Sequence, residues 1–207
     1  GAVYTNMWNA DYHPEGCPAS SFITLHFGAT EKSQSPIEMT WSDGGIRPAH
    51  PEIIPADHEI GGNGSQNGVL IIGEKGIIST NINDSSPLMP KLYMNDGSTD
   101  FGPEVEPNDE PEYGHQRLWI DACKAGFGSK EHLGLTSSFD YAGPMTETVL
   151  MGNLAIRSYL LQRENEKGKM EFFARKKLLW DGENMRITNL EEANQFVTRN
   201  YRPGFVV

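Results

Sequence analysis

Cysteine and basic residues are both scarce in this sequence. Of 207 residues only 2 are cysteine, Cys17 and Cys123, and neither has a second cysteine at metal-ligand spacing. The sequence therefore supports neither a disulfide framework nor a zinc site. Lysine and arginine number 17 against 28 aspartate and glutamate, a formal charge of −11. This deficit argues against nucleic acid or an anionic membrane as a partner, because phosphate contacts need clusters of positive charge.

Long apolar runs and a nucleotide-binding glycine motif are also missing. No stretch approaches the roughly 18 apolar residues that span a bilayer, so we expect no membrane partner. The segment GNGSQNG, residues 62–68, resembles a dinucleotide fingerprint only superficially. No predicted strand precedes it and no predicted helix follows it, so a phosphate-binding turn cannot form there. We expect a flexible loop tip at this position and no cofactor site in this chain.

The strongest helix signal runs from Phe139 to Leu161. Gly143 as N-cap and Pro144 at the first helical position predict its start, with Glu147 in or near the first turn. Apolar residues then recur with a period of about 3.6 residues. They are Met145, Val149, Gly152, Ile156 and Leu160. A helix that is apolar over so much of its circumference is expected to be buried against a sheet.

Alternating apolar residues predict a pair of antiparallel strands before this helix. In SSFITLHFGA, residues Ile23, Leu25 and Phe27 share one face, and IEMTW at 37–41 repeats the alternation. The turn-rich segment between them favours antiparallel pairing. The apolar face can receive the helix. The other face is mixed and too apolar for solvent alone, and it comprises Phe22, Thr24 and His26.

Weaker patterns complete the prediction. They predict a hairpin over 68–81 with the turn GEKG, and a surface loop over 95–112. They also predict a helix over 115–128, which carries Cys123 on its apolar face. Near the end of the chain they predict short strands around the turn DGEN at 181–184 and a last helix over 190–199 with Asn189 as its N-cap. The class is α+β, with a largely antiparallel open sheet and helices packed on one face. We expect one domain that covers residues 1–207.

Six segments, taken in order, resemble one protein family. They are WSDGG at 41–45, GEKG at 73–76, HQRLWIDACKAG at 115–126, SSFDYAGPMTETVLMGNLAIR at 137–157, WDGENMRITNLEEAN at 180–194 and YRPGF at 201–205. Together they are similar to the C-terminal domain of bacterial Gfo/Idh/MocA-type oxidoreductases. The resemblance spans essentially residues 20–207, and it is weakest over 85–112.

The resemblance implies a two-domain enzyme of sugar, polyol or related substrates. In the family an N-terminal Rossmann domain holds NAD or NADP. The α+β domain that follows carries helices on one face of its sheet, and the other face commonly makes the subunit contact. A homo-oligomer is therefore expected. The family occurs in the cytoplasm and in the periplasm, so the resemblance leaves open the compartment, as well as the sugar and the choice between NAD and NADP.

The chain departs from the family in the parts that carry out the chemistry. It has no Glu-Lys-Pro motif, whose lysine acts in the family's site, and no Asp-x-x-x-His motif. It also has no βαβ unit that opens with the glycine fingerprint. We therefore expect the second domain without its Rossmann partner, either an excised piece or a natural fragment, and we expect it to be inactive alone.

From such a domain we expect residues that orient a sugar rather than residues that transfer protons. The substrate-binding candidates are Trp41 and Asp43 in the WSDGG turn, His115 and Tyr141. Aromatic faces stack on sugar C–H surfaces, while carboxylate and imidazole groups bond hydroxyls. Each candidate has a structural alternative: Trp41 in the core, Asp43 as a turn residue, His115 as a helix cap and Tyr141 as packing. No catalytic, cofactor-binding or metal-binding residue is predicted.

Two other functions stay open beside the oxidoreductase fragment. One is a stand-alone carbohydrate-binding or dimerisation module, which a Rossmann sequence in the upstream reading frame would exclude. The other is part of an NAD-assisted glycosidase, the activity of a related subgroup. A hydrolase with its own pair of carboxylates is not favoured, because the acidic residues show no spacing that singles out an acid and a base.

Overall fold

The structure is a computed structural model that describes residues 3–4, 10–11, 18–58, 60, 68–81, 90–100, 114–199 and 201–204. The chain forms two compact units. The first unit comprises Gly1–Arg47 and Thr136–Val207, and the second comprises Pro48–Leu135. The expectation of one domain over 1–207 stays a prediction.

The described elements place the chain in the predicted α+β class. The strands are Val3–Tyr4 (β1), Ala10–Asp11 (β2), Phe22–Phe27 (β3), Ile37–Ser42 (β4), Gly68–Ile72 (β5), Gly76–Asn81 (β6), Lys91–Met94 (β7), Thr99–Asp100 (β8), Gln162–Glu164 (β9), Met170–Phe172 (β10), Trp180–Asp181 (β11) and Arg186–Ile187 (β12). The helices are Gly114–Ala125 (α1), Lys130–Leu133 (α2), Phe139–Tyr159 (α3) and a 3-10 helix, Glu191–Phe196. Every described strand pair is antiparallel. The strands lie in several small open sheets. The largest of these described sheets has four strands, in the order β5-β6-β7-β8.

The second unit is built on the predicted hairpin of β5 and β6. Its sheet buries Ile77 and Tyr93 together with Ile54, which comes from the preceding irregular segment. Part of the loop predicted over 95–112 is a strand instead. The amide of Gly97 donates to the carbonyl of Met94 and reverses the chain, so that β8 pairs with β7. The glycine-rich segment at 62–67 and residues 101–113 lie outside the described residues.

The helix predicted over 115–128 is confirmed as α1, and Gly126 follows it with a φ of 92°. The short helix α2 was not predicted; Ser129 caps it by accepting a hydrogen bond from the amide of His132. The expected burial of Cys123 is wrong, because its side chain is exposed. Trp119 and Phe127 on the same face are 61% and 97% exposed. Spacing identified the apolar face of α1, but among the described residues this face is largely exposed.

In the first unit, β3 and β4 pair as predicted, with Ile23 opposite Trp41 and Leu25 opposite Met39. The alternation is confirmed on β3, where Ile23, Leu25 and Phe27 are half-buried between exposed neighbours. A Cβ at Gly152 would lie 3.3 Å from Cδ1 of Ile23, so α3 approaches β3 closely at this glycine. The small residue in the helix permits that approach.

The predicted start of α3 is wrong. The helix begins at Phe139 after the N-cap residue Ser138, and Pro144 lies inside it. The amide of Ala142 donates to the carbonyl of Ser138, so the first turn forms before the proline. Proline lacks the N–H that would bond back along the helix, and here the helix continues through that gap. Glu147 is consequently not in the first turn.

The expected burial of α3 along its whole length is also wrong. Met145 and Val149 are 52% and 65% exposed, whereas Gly152 and Ser158 are buried. The core of the first unit lies beside the second half of the helix, where Leu154 and Leu161 pack against it. That core consists of Ala174, Ile187, Leu190 and Ala193.

The last part of the chain forms two hairpins and the 3-10 helix. The strands predicted around the turn at 181–184 are confirmed as β11 and β12, and the hairpin of β9 and β10 precedes them. The last helix is a 3-10 helix with Leu190, not Asn189, at its N-cap. The Asn189 side chain instead accepts from the amide of Leu179 and donates to the carbonyl of Lys177. Among the described helices, none has the length and apolar character needed to cross a membrane.

Candidate functional site

Trp41 and Asp43 lie together where β4 ends, and Ser21 joins them from the start of β3. The Oδ1 atom of Asp43 accepts the amide N–H of Ser21 at 2.6 Å. Its Oδ2 atom accepts the Ser21 hydroxyl at 2.8 Å and the Trp41 indole N–H at 2.9 Å. The carboxylate therefore ties the two strand ends together and holds the indole by its polar edge.

The glycines of the WSDGG segment make this arrangement possible. Gly44 has a φ of 62°, and a Cβ there would collide with backbone and side-chain atoms of Ala19 and Ser20. Glycine tolerates both the left-handed conformation and the close approach. The turn thus returns the chain tightly past the beginning of β3, which keeps Asp43 beside Ser21.

The electrostatics of Asp43 follow from these bonds. Hydrogen bonding from Trp41, followed by the bonds from Ser21, lowers the pKa of Asp43 against the opposing effect of its partial desolvation. Three of the roughly four lone-pair sites of the carboxylate are used within the protein. The geometry gives Asp43 mainly a positioning task. Trp41, by contrast, is 59% exposed and offers its ring to solvent.

The other two candidates lie on helices. Tyr141 lies in the first turn of α3, in the first unit, and its side chain is 63% exposed. His115 is an exposed residue near the start of α1, in the second unit. The structure therefore joins only Trp41 and Asp43 into one constellation. The roles assigned to His115 and Tyr141 stay predictions.

Sequence reasoning missed Ser21, although a signal was present. The register that pairs Phe22 with Ser42 places the residues just beyond them, Ser21 and Asp43, opposite each other. A serine and an aspartate at such a strand end can bond across the pair. Predicting the bond required the register, which the turn-rich connection between the strands does not fix.

A second polar cluster lies in the second unit. The hydroxyl of Tyr93 lies 2.9 Å from Nδ1 of His58, and Nε2 of His50 lies 3.0 Å from the carbonyl oxygen of His58. Burial, and secondarily the charge of Asp57, raise the pKa of Tyr93. These contacts hold the irregular segment 48–58 onto the sheet core around Ile54. Within the described ranges, no group of three or more His, Cys, Asp or Glu residues could hold a metal ion.

Comparison of the sequence with known proteins does not assign the chain to a family. No family model matches the sequence, and a search of curated proteins finds no match. The family assignment therefore stays a proposal that depends on the six segments.

Proposed function

We propose that this chain is the substrate-binding and oligomerisation domain of an NAD(P)-dependent sugar or polyol oxidoreductase of the Gfo/Idh/MocA type. In this proposal the chain orients the sugar, and a Rossmann domain outside this sequence supplies the cofactor. The chemistry of hydride transfer belongs to that cofactor, while the protein supplies binding and orientation.

The observation that supports the proposal best is the held indole of Trp41. An exposed aromatic ring is useful for sugar stacking when its orientation is fixed before the ligand arrives. The bond from the indole to Asp43, which is itself anchored by Ser21, provides this orientation. Tyr141, also in the first unit, is a further substrate contact in this proposal.

The proposal assigns no residue of this chain to the cofactor. Pyrophosphate binding needs a strand that leads through a glycine turn into a helix. The longest described helix, α3, is preceded by α2 and a short turn rather than by a strand. Calorimetry with NAD and NADP is expected to give no measurable binding to the chain alone. Fusion to a Rossmann domain encoded upstream is expected to give both binding and activity, and a micromolar dissociation constant for the chain alone would overturn the assignment.

The sugar-binding role is tested at Trp41. Titration of the chain with xylose, glucose, sorbitol and inositol, followed through the indole N–H signals, is expected to shift the Trp41 signal. Trp41→Ala should weaken binding by about twofold to tenfold, since stacking contributes about 0.5–1.5 kcal/mol. Trp119→Ala, which removes another exposed indole, is the matched control. Equal effects of the two substitutions, or no shift with any sugar, would contradict the role.

We further propose that the mixed face of β3 and β4 forms the contact between subunits. Phe22 on that face is 58% exposed. On the same face, Nδ1 of His26 lies 3.4 Å from Oε2 of Glu38. Light scattering at tens of micromolar is expected to show a dimer or larger assembly. Phe22→Glu should dissociate it, whereas Phe139→Glu, a substitution at another exposed phenylalanine of the first unit, should not. A monomeric unsubstituted chain would count against this contact.

A further inference from the structure

The first unit contains a cleft that the proposed function does not use. The cleft lies between the middle of α3, the β11–β12 hairpin and the 3-10 helix with the residues after it. Its volume is about 600 Å³. This size falls in the range that accommodates a small organic molecule.

The hairpin wall of the cleft is held in place by specific contacts. The indole N–H of Trp180 donates to Oε1 of Glu147 at 2.7 Å, which ties β11 to α3. A Cβ at Gly182 would lie 3.1 Å from the same oxygen, so the turn approaches α3 as closely as a glycine permits. The carboxylate of Asp181 accepts both the amide and the side-chain N–H of Asn184 and closes the turn.

The turn delivers Met185 into the cleft in an unusual conformation. Met185 has a φ of 50°, a value that side chains with a Cβ rarely adopt. Its side chain is 51% exposed and lines the cleft. Met185 is the last residue of the loop that joins β11 to β12, and a left-handed residue at this place is common in hairpin loops. The hairpin turn therefore places the Met185 side chain at the cleft.

The lining combines an apolar surface with charged side chains. Leu150, Met151 and Met185 contribute apolar side chains, and the charged groups are two arginines, Arg157 and Arg199, and one carboxylate. That carboxylate, Glu147, already accepts the Trp180 N–H.

The two arginines differ in their surroundings. The guanidinium of Arg157 lies over the ring of Phe196, 4.4 Å from its centroid, and thereby supports the wall formed by the 3-10 helix. Arg199 is exposed at the cleft. A guanidinium offers a planar pair of donors that matches a carboxylate. Arg199 is therefore the group best placed to receive an anion at the mouth.

We propose that this cleft binds a small amphipathic carboxylate, with its apolar body against Leu150 and Met185 and its carboxylate on Arg199. The site is distinct from the Trp41 constellation. Its failure would leave the proposed sugar-binding role untouched, and failure of that role would leave this site untouched.

Methionine methyl NMR tests the proposal, with octanoate as the probe. Met151 and Met185 line the cleft, whereas Met145 and Met170 are exposed outside it and serve as internal controls. Octanoate is expected to shift the methyl signals of Met151 and Met185 at millimolar concentration or below, as the binding energy available to a ligand of this size suggests. Octan-1-ol and octylammonium should bind more weakly by at least about tenfold and thirtyfold, because they cannot pair with the guanidinium. Equal shifts at all four methyl groups, or equal binding of octylammonium, would overturn the proposal.

Two pairs of variants locate the site. Arg199→Gln is expected to weaken octanoate at least about fivefold without changing octan-1-ol binding. Arg163→Gln, at another exposed arginine of the same unit, should change neither. Leu150→Trp should fill the cleft and abolish binding, while Val149→Trp, one residue away and outside the lining, should not. Ligand-free methyl spectra confirm that each variant folds, and an unaltered octanoate affinity in Arg199→Gln or Leu150→Trp would refute the assignment.

Discussion

The two halves of α3 have similar apolar content and different surroundings. In the first half and at the middle of the helix, Met145, Val149 and Leu150 are 52%, 65% and 49% exposed. In the second half, Leu154 packs on the core of Ala174, Ile187, Leu190 and Ala193, and Ser158 is 1% exposed. The second half of the helix thus packs on the core, whereas the first half exposes apolar side chains. An apolar period along a helix identifies a face, and only the neighbouring elements decide which part of that face is covered.

The largest expected effect comes from two leucines one turn apart. Leu154→Ala should lower the free energy of unfolding by about 2 kcal/mol, the lower end for a buried leucine because Leu154 is only partly buried. Leu150→Ala should change it by about 0.5 kcal/mol, since nearly half of that side chain is already in water. Urea denaturation of both variants measures the difference. Equal losses would show that the two halves are not distinct.

A smaller effect is expected where the exposed half of α3 meets the β11–β12 hairpin. Trp180→Phe removes the N–H that Glu147 accepts, and this should cost about 1 kcal/mol in a partly exposed setting. A double-mutant cycle with Glu147→Ala separates that bond from the change in ring size. A coupling energy indistinguishable from zero would mean that the bond does not anchor the helix.

The buried half of α3 contains a hydroxyl whose removal should not destabilise the protein. Ser158 Oγ is buried and has no hydrogen-bond partner among the described residues. Ser158→Ala should therefore raise the free energy of unfolding by about 0.5–1 kcal/mol, because the desolvation cost of the hydroxyl disappears. Thermal and urea midpoints check the sign. A clear loss of stability would indicate a partner for this hydroxyl in solution.

The smallest effect concerns Asp43, just after β4. Its folded-state pKa is lowered, first by the Trp41 bond. Its contribution to stability is therefore complete above the ordinary aspartate pKa of about 3.9 and is lost as the pH falls through the lower folded value. The Trp41 indole N–H signal should stay constant down to about that pH and then move. In Asp43→Asn the acid transition should be absent, and its persistence would assign it to another group.

Local patterns in the sequence are sufficient to predict several elements of this protein. Period-two alternation placed β3 and β4 and identified the half-buried face of β3, because adjacent strand side chains point to opposite faces. Glycine-rich turns located the hairpins of β5 with β6 and of β11 with β12. Trp41 and Asp43 were recognisable because both lie in the short segment WSDGG, at the end of β4 and just after it.

Tertiary structure alone decided what those patterns leave open. The helix α3 begins at Phe139 and continues through Pro144, although a proline inside a helix removes one backbone hydrogen bond. Ser21 meets Asp43 across 22 residues, and Trp180 meets Glu147 across 33. The exposure of Cys123 and Val149 depended likewise on which neighbouring elements cover them. The periodicity of the sequence predicts which side chains share one face of a helix or strand. Whether that face is buried depends on the neighbouring elements that pack against it.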